Sequence, residues 1–506
     1  MTTSGSAADG RSQASAEAGQ EPDPRRWRAL WVTLVAGFMS LLDVTIVAVA
    51  LPTIQRELHA SPAQVQWVVS GYALTFALAL VTAGRLGDAL GRRRIFLLAL
   101  SGFVLFSAAG GAAPNITLLV VARLAQGLAA GFMAPQNSAL IQQMFRGAER
   151  GRAFGFFGAT VGVSSAAGPL TGGLILALAS GAQGWRWIFY VNVPIGVLAV
   201  LLGRHLLPHL RRSGRGHVDL PGVLLLGLGV LALMFPLVQA DSGGIGRRWW
   251  LFLVGAAILA VFARWQYRLV ARGGQPLLDP RLFTTVRGYA VGAGVGTLYF
   301  IGFSGIWLVF ALFYQQGPLH FSPLRSGLAV TPFALGSASA AVVAGRLVDR
   351  FGRLLTVCGL TGVIAGLGGT ALLLRFAPLD SAPWLAAPAL FLGGIGSGFV
   401  VSPNITMTLR DVPVRMAGAA GGALQTGQRL GAAVGTAALP GLFYLVLGRS
   451  HDYRGALVTA MVTALVGMAA SLALAAYDWR GDRRKREPRR KCPDEVANDP
   501  VHSRQT

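Results

Sequence analysis

Residues 84–92 read G-R-L-G-D-A-L-G-R, and residues 345–353 read G-R-L-V-D-R-F-G-R. Glycine, arginine, leucine, aspartate, glycine and arginine recur at matching positions, offset by 261 residues (345 against 84). Each copy lies between two long apolar runs. The chain therefore reads as two related halves built from membrane-spanning hairpins. Two such halves are the frame of a carrier whose binding site faces each side of a bilayer in turn.

Composition supports a membrane setting. The 506 residues are 53% apolar and 13% charged, with a mean hydropathy of +0.55. A soluble chain of this length has no core large enough for so much apolar surface, whereas a bilayer accepts it. The net charge of +23 sits almost wholly in short segments between apolar runs. That is how membrane proteins encode topology, and it argues against nucleic acid as a partner. The only lysines are Lys485 and Lys491, in the C-terminal segment. No lysine is left to hold phosphates in a P-loop, so ATP is not the energy source by that route. Cys358 and Cys492 form no disulfide framework. The N-terminus has no apolar core before a cleavage site and does not read as a signal peptide.

Stretches able to cross about 30 Å of hydrocarbon fall at 29–51, 64–84, 95–113, 116–138, 153–179 and 187–206. Two follow at 219–239 and 249–270, and six more at 289–314, 325–345, 354–376, 384–405, 417–447 and 455–477. The expected fold is all-α, with 14 transmembrane helices arranged as 6 + 2 + 6. The expected units are a disordered tail at 1–27, a six-helix bundle at 28–210, two linking helices at 211–275, a second six-helix bundle at 276–479 and a basic tail at 480–506. Basic residues number 32 on the side that carries both termini and 8 on the other. Arg85, Arg92–Arg94, Arg146–Arg152 and Arg346–Arg353 are on the rich side, so both termini are expected in the cytoplasm of a cell-membrane protein.

Ionisable groups inside a span are costly and point to function. Asp43, in L-L-D-V-T-I-V-A-V-A-L-P, is the carboxylate well inside a span; Asp219 and Asp478 sit at span ends, where a solvated or snorkelling role is expected. No histidine is expected inside a span. Arg123 and Arg429 lie within the fourth and thirteenth spans. Each needs a partner or a wet cavity; whether Asp43 and Arg123 meet directly is open from the sequence. Asp43 suits a proton site, because access to water from alternate sides changes its proton affinity, or it latches neighbouring helices. The polar residues Gln126, Asn137, Gln425 and Gln428, with Arg429, are candidates to line a substrate cavity. No metal or cofactor site is expected. Without membrane histidines or cysteine pairs, an intramembrane enzyme is not supported.

The fifth span carries Gly155, Gly158, Gly162, Gly168, Gly172 and Gly173, with Pro169 in G-P-L-T-G-G. Small residues at intervals of four allow close helix contact in lipid, and proline with glycine permits a kink. In the repeated loop Gly91 permits a tight turn. Arg85, Arg92 and Arg93 suit acidic groups or phosphate, and Asp88 suits capping the next helix or pairing with an arginine.

Together these strings resemble the major facilitator superfamily, and within it the fourteen-span drug:proton antiporters (DHA2, EmrB/QacA type). The resemblance runs from about residue 28 to 478. It implies that Gly84, Arg85, Asp88, Gly91, Arg92 and Arg93 form the gating loop, and that Asp43 is the acidic residue of the first-span motif. It also implies that Arg123, in R-L-A-Q-G with Gln126, takes part in proton coupling, and that Gly162, Gly168, Pro169, Gly172 and Gly173 form the antiporter motif. W-R-W-I-F-Y-V-N-V-P-I-G at 185–196 is similar to that group as well. The implied function is efflux of a small amphipathic compound in exchange for protons by a protein functional as a monomer. An uptake symporter or a lipid-precursor exporter of the same fold is the alternative. Members that export multivalent cations often carry further membrane carboxylates; this chain has no obvious second one. A neutral, anionic or zwitterionic lipophile is thus equally compatible. The arginine- and alanine-rich makeup resembles that of high-GC bacteria, in which such proteins often export an antibiotic made by the cell itself.

Overall fold

The computed structural model describes residues 24–179, 183–208, 219–238, 244–274, 276–286, 288–413 and 416–486. Every regular element among them is helical, as hydrocarbon demands of a chain that must satisfy its own backbone. The long helices are α1 (Arg26–Glu57), α2 (Pro62–Leu90), α3 (Arg92–Ala112), α4 (Ile116–Met144), α5 (Gly147–Leu178), α6 (Asn192–Leu206) and α7 (Leu220–Val238). They continue as α8 (Trp250–Ala271), α9 (Tyr289–Gln316), α10 (Pro323–Phe351), α11 (Arg353–Phe376), α12 (Ala387–Thr408), α13 (Ala417–Ser450) and α14 (Tyr453–Arg486). Among the described residues, 12 stretches are long and apolar enough to cross a membrane. They fall on all of these helices except α5 and α7, and α7 is apolar over Leu220–Pro236. The chain is a multi-pass integral membrane protein.

Most helices outrun the apolar stretches read from sequence, because polar caps carry them past the hydrocarbon. Ser61 and Gln64 form a capping box at the start of α2, Asn115 caps α4 and Ser322 caps α10, each satisfying orphan N–H groups. At the ends of the chain, α1 begins inside the expected N-terminal tail, and α14 runs through Arg486 into the expected basic tail. Residues 1–23 and 487–506, and the loop arginines Arg211, Arg212, Arg215, Arg287 and Arg415, lie outside the described residues. His205 sits in the last turn of α6, against the expectation of no histidine in a span.

Both span-end aspartates are held by donors from another helix, Asp219 buried and Asp478 half-buried. Asp219 caps α7 by accepting from the Gly222 amide (2.9 Å) and also accepts from Trp265 (3.0 Å) and Gln266 (2.7 Å) of α8. Asp478 of α14 pairs with Arg353 at 2.7 Å. Each has found a donor from another helix, which removes the need to snorkel.

Apolar packing is divided along the chain. One core cluster, with Tyr72, Phe96, Phe103 and Met133, draws only on residues 29–207. Another, with Tyr299, Phe310, Phe333 and Met461, draws only on 295–475. A third mixes the two: Leu30, Leu34, Phe145 and Phe154 meet Leu282, Tyr289, Leu409 and Leu424. All of these lie at helix ends on the arginine-rich side. At the opposite ends, Ile46, Ile54, Trp185 and Phe189 cluster with partners from 46–191 alone. Helix α7 covers the α2–α13 seam, where Val230 and Met234 pack on Leu74 and Ala77, with Leu430 and Ala433 alongside.

Candidate functional site

Asp43 on α1 and Arg123 on α4 form an ion pair at 2.5 Å, with side chains 0% and 1% exposed. Burial this complete leaves both charges dependent on one another and on hydrogen bonds. Arg123 Nε donates to the Val68 carbonyl (3.0 Å), and Nη1 donates to both Asp43 and Gln126 Oε1 (2.7 Å). Gln126 returns its amide to Asp43 Oδ1 at 3.0 Å, and Asn192 at the start of α6 donates to the same oxygen at 3.3 Å. The Arg123 guanidinium stands 4.2 Å above the centre of the Tyr72 ring, whose hydroxyl donates to the Ser40 carbonyl. Two polar atoms here lack partners, Arg123 Nη2 and Asn192 Oδ1. Four helices thus converge on one carboxylate that is shielded from bulk water.

The repeated loop lies at the seam between the two parts of the chain. Gly91, at φ 102°, and Gly352, at φ 54°, turn the chain between consecutive helices in a region that favours glycine. Asp88 is paired with Arg92 (2.8 Å), and Arg92 also donates to the Ala139 carbonyl. The other Asp88 oxygen accepts from the backbone amide of Ala419 at 3.2 Å. Asp88 therefore caps a helix, but that helix is α13, 331 positions away, and not the next one. A carboxylate at a helix N-terminus gains about 0.3–1 kcal/mol, up to about 2 when partly buried. Among the described residues Arg93 meets no acid; it donates to the Arg204 carbonyl.

The first glycine of each copy marks the closest approach across the seam. A Cβ on Gly418 would sit 2.5 Å from the Gly84 carbonyl oxygen, and one on Gly345 would sit 2.5 Å from that of Gly151. Beyond this the copies diverge. Asp349, the counterpart of Asp88, is exposed, and it acts on Arg150 at the start of α5 through space. Burial, followed by the neighbouring Arg410, lowers the Arg150 guanidinium below its usual range, with Asp349 and Asp411 opposing. Arg353, the counterpart of Arg92, turns to Asp478, Asn404 and the Gly288 carbonyl.

In the fifth-span motif, a Cβ on Gly168 would collide with the Thr45 side chain and approach the Ile46 amide at 3.1 Å; one on Gly172 would meet Ile46 at 3.2 Å. The motif therefore packs on α1 within one turn of Asp43. Gly162 instead faces α10, with the Ala338 amide 3.3 Å from where its Cβ would be. Gly173 faces nothing within 4 Å, so it is not part of the close seam expected of it. Of Pro169 only its place in the unbroken helix α5 is described.

The cavity candidates do not form one set. Gln126 belongs to the Asp43 cluster, and Asn137 is buried beside Gly37. Gln425 donates across the seam to Ser138 Oγ and the Ala134 carbonyl, both at 3.4 Å. Gln428 lies against Gly296 of α9. Arg429 stands 4.3 Å above the Phe76 ring. Sequence reading did not single out Asn192, Tyr72 or Ser107, whose hydroxyl accepts from Asn192 at 3.2 Å. A buried asparagine in an otherwise apolar span was the available signal.

The model of the Major Facilitator Superfamily matches residues 33–218 and 292–501. The chain is 37% identical over 444 residues to a probable actinorhodin transporter of Streptomyces coelicolor, covering 87% of this chain and 76% of that one. It is 40% identical over 428 residues to a puromycin resistance protein of Streptomyces alboniger, covering 83% and 82%. The fold matches a solved proton:xylose symporter with a TM-score of 0.64 at 14% identity, over 91% of this chain and 96% of that one.

Proposed function

The chain belongs to the Major Facilitator Superfamily, and we propose that within it this protein is a proton-coupled exporter of small amphipathic compounds working by alternating access. Helices α5 and α7 cross the bilayer with the other twelve, giving six spans, a linking pair and six more, divided near residues 210 and 276. The protein resides in the cell membrane with both termini in the cytoplasm. One chain carries both halves and works as a monomer. Efflux is supported by relatives named for antibiotic transport and resistance.

The observation that carries the reading is the buried Asp43–Arg123 pair in a chain closed on one face. The apolar cluster around Phe145, Tyr289 and Leu409 and the two glycine contacts close the cytoplasmic ends, and the corresponding outer cluster is confined to one half. On this reading the arrangement faces outward, and a proton from outside reaches Asp43 once its buried cluster opens to water. Protonation cancels the charge that holds Arg123 and frees the guanidinium to repack with Gln126 and Tyr72. Packing of Gly168 and Gly172 on α1 links that rearrangement to α5 and, through Gly162, to α10. The Asp88–Ala419 contact then releases, the cytoplasmic side opens, and Asp43 gives its proton inward as substrate binds. Inward proton movement down a membrane potential supplies about 2.3 kcal/mol per charge per 100 mV.

The test is accumulation in a host lacking its own pumps, challenged with antibiotics of anionic, neutral and cationic charge. Expression should lower accumulation of at least one compound, and an uncoupler should restore it. Raised accumulation on expression would contradict export and favour uptake.

A further inference from the structure

Three ionisable groups lie in the middle of the described membrane helices: Asp43, Arg123 and Arg429. Asp43 and Arg123 neutralise each other. Asp88, Asp219 and Asp478 are engaged elsewhere, with Arg92, the α7–α8 pair and Arg353. Among the described residues the site therefore carries a net positive charge that no carboxylate answers.

Arg429 is that charge. Among the described residues its guanidinium has a ring contact with Phe76 of α2 but makes no hydrogen bond or ion pair. It is half-buried, with part of its surface open. A guanidinium inside a membrane protein without an acceptor is costly, and a cation–π contact offsets only part of that cost. Its five N–H donors are free to bind a carboxylate or similar oxyanion in a fork. Gln425, one turn earlier on the same face of α13, leans on Ser138 and the Ala134 carbonyl through long 3.4 Å bonds that a better acceptor displaces. Phe76 lies one turn from Tyr72, with ring centres 6.1 Å apart, so the charge sits beside an aromatic wall that continues to the Asp43 cluster.

We propose that Arg429 is the docking point for the anionic group of the exported compound, which makes this carrier selective for aromatic organic anions. The proposal rests on the export reading and narrows it. An anion leaves an inside-negative cell with the potential, so its export runs with the same field that brings the proton in. A cation bound beside Phe76 meets Arg429 unshielded.

The experiment uses full-length protein in lipid nanodiscs, with pyrenebutyrate, neutral pyrenebutyramide and pyrenebutyl-trimethylammonium as probes. Saturable binding above empty nanodiscs is read by fluorescence anisotropy. The carboxylate should bind about tenfold or more tighter than the other two. Arg429→Gln should erase that preference while still binding the amide saturably, which shows that the protein remains folded, and Arg429→Lys should keep most of it. Equal binding of the three probes by the wild type, no saturable carboxylate binding, or a preference surviving Arg429→Gln would overturn the proposal. Proton-driven uptake of the amide into inverted vesicles tests export separately. Uptake without carboxylate preference sinks the anion site and leaves export standing; preference without driven uptake does the reverse.

Discussion

Asp88→Asn isolates the contact from Asp88 to the Ala419 amide, which in the proposed cycle latches the cytoplasmic side. Asp88 makes two kinds of contact, and they respond differently when the halves part. Its pair with Arg92, like the bond from Arg92 to Ala139, joins α2, α3 and α4 within one half, so it persists in either state. The bond from the Ala419 amide at 3.2 Å crosses to α13 and exists only when the seam is closed. The asparagine keeps an acceptor oxygen but loses the charge at the helix N-terminus. In this partly buried geometry that charge is worth about 1–2 kcal/mol. The equilibrium should therefore shift toward the cytoplasm-open state by roughly 5- to 30-fold. The reporter is Ser138→Cys, buried against Gly421 and Gln425 at this seam, in a chain with Cys358 and Cys492 replaced by serine. Labelling by an impermeant maleimide from the cytoplasmic side of inverted vesicles should accelerate by that factor. A rate unchanged to within about twofold, with transport intact, would refute the latch. Asp349→Asn, which removes an exposed carboxylate with no backbone amide to hold, should change labelling far less.

Three further outcomes follow from the packing. Gly168→Val forces a side chain into Thr45 beside Ile46 and should destabilise the protein by about 1–3 kcal/mol, whereas Gly173→Ala, facing open space, should be neutral; thermal unfolding in detergent compares them, and equal losses would contradict the seam. Arg123→Gln strands a buried carboxylate and should cost about 3–5 kcal/mol unless Asp43 is neutralised, so Asp43→Asn/Arg123→Gln should be more stable than Arg123→Gln alone; a double variant no more stable than the single one would deny the coupling. Asp219→Ala removes the cap of α7 together with its bonds to Trp265 and Gln266 and should cost about 0.5–2 kcal/mol, read as a lower unfolding temperature, with no change at all counting against the buried role.

The loop was legible because its features are local. A glycine of positive φ between two apolar runs, with arginines beside it, can be read from nine residues. What Asp88 meets was not, since Ala419 offers only a backbone amide and lies in another helix. The same limit hid the fates of Asp219 and Asp478: nothing near them in sequence announces Trp265, Gln266 or Arg353. The divergence of the two copies is a further case, because the shared glycine, aspartate and arginine positions gave no hint that Arg353 turns away from Asp349. Asp43 and Arg123 could be picked out as costly charges, but their meeting depends on how α1 and α4 face each other. Asn192 was masked by its apolar neighbours and by a span whose helix restarts at that residue. Gly173 shows the opposite error, a small residue in a motif whose periodicity suggested contact where the helix faces open space.

The central claim is that one membrane carboxylate couples protons to export. The direct measurement is uptake into inverted vesicles, under an imposed pH gradient (acid inside), of whichever antibiotic in the panel wild-type cells exclude most strongly. Wild-type protein should accumulate the compound and release protons from the vesicle lumen as it does so. Asp43→Asn, inserted in the membrane at equal amount, should do neither, while still exchanging compound down its own gradient. Gradient-driven accumulation by Asp43→Asn at the wild-type rate would contradict the account.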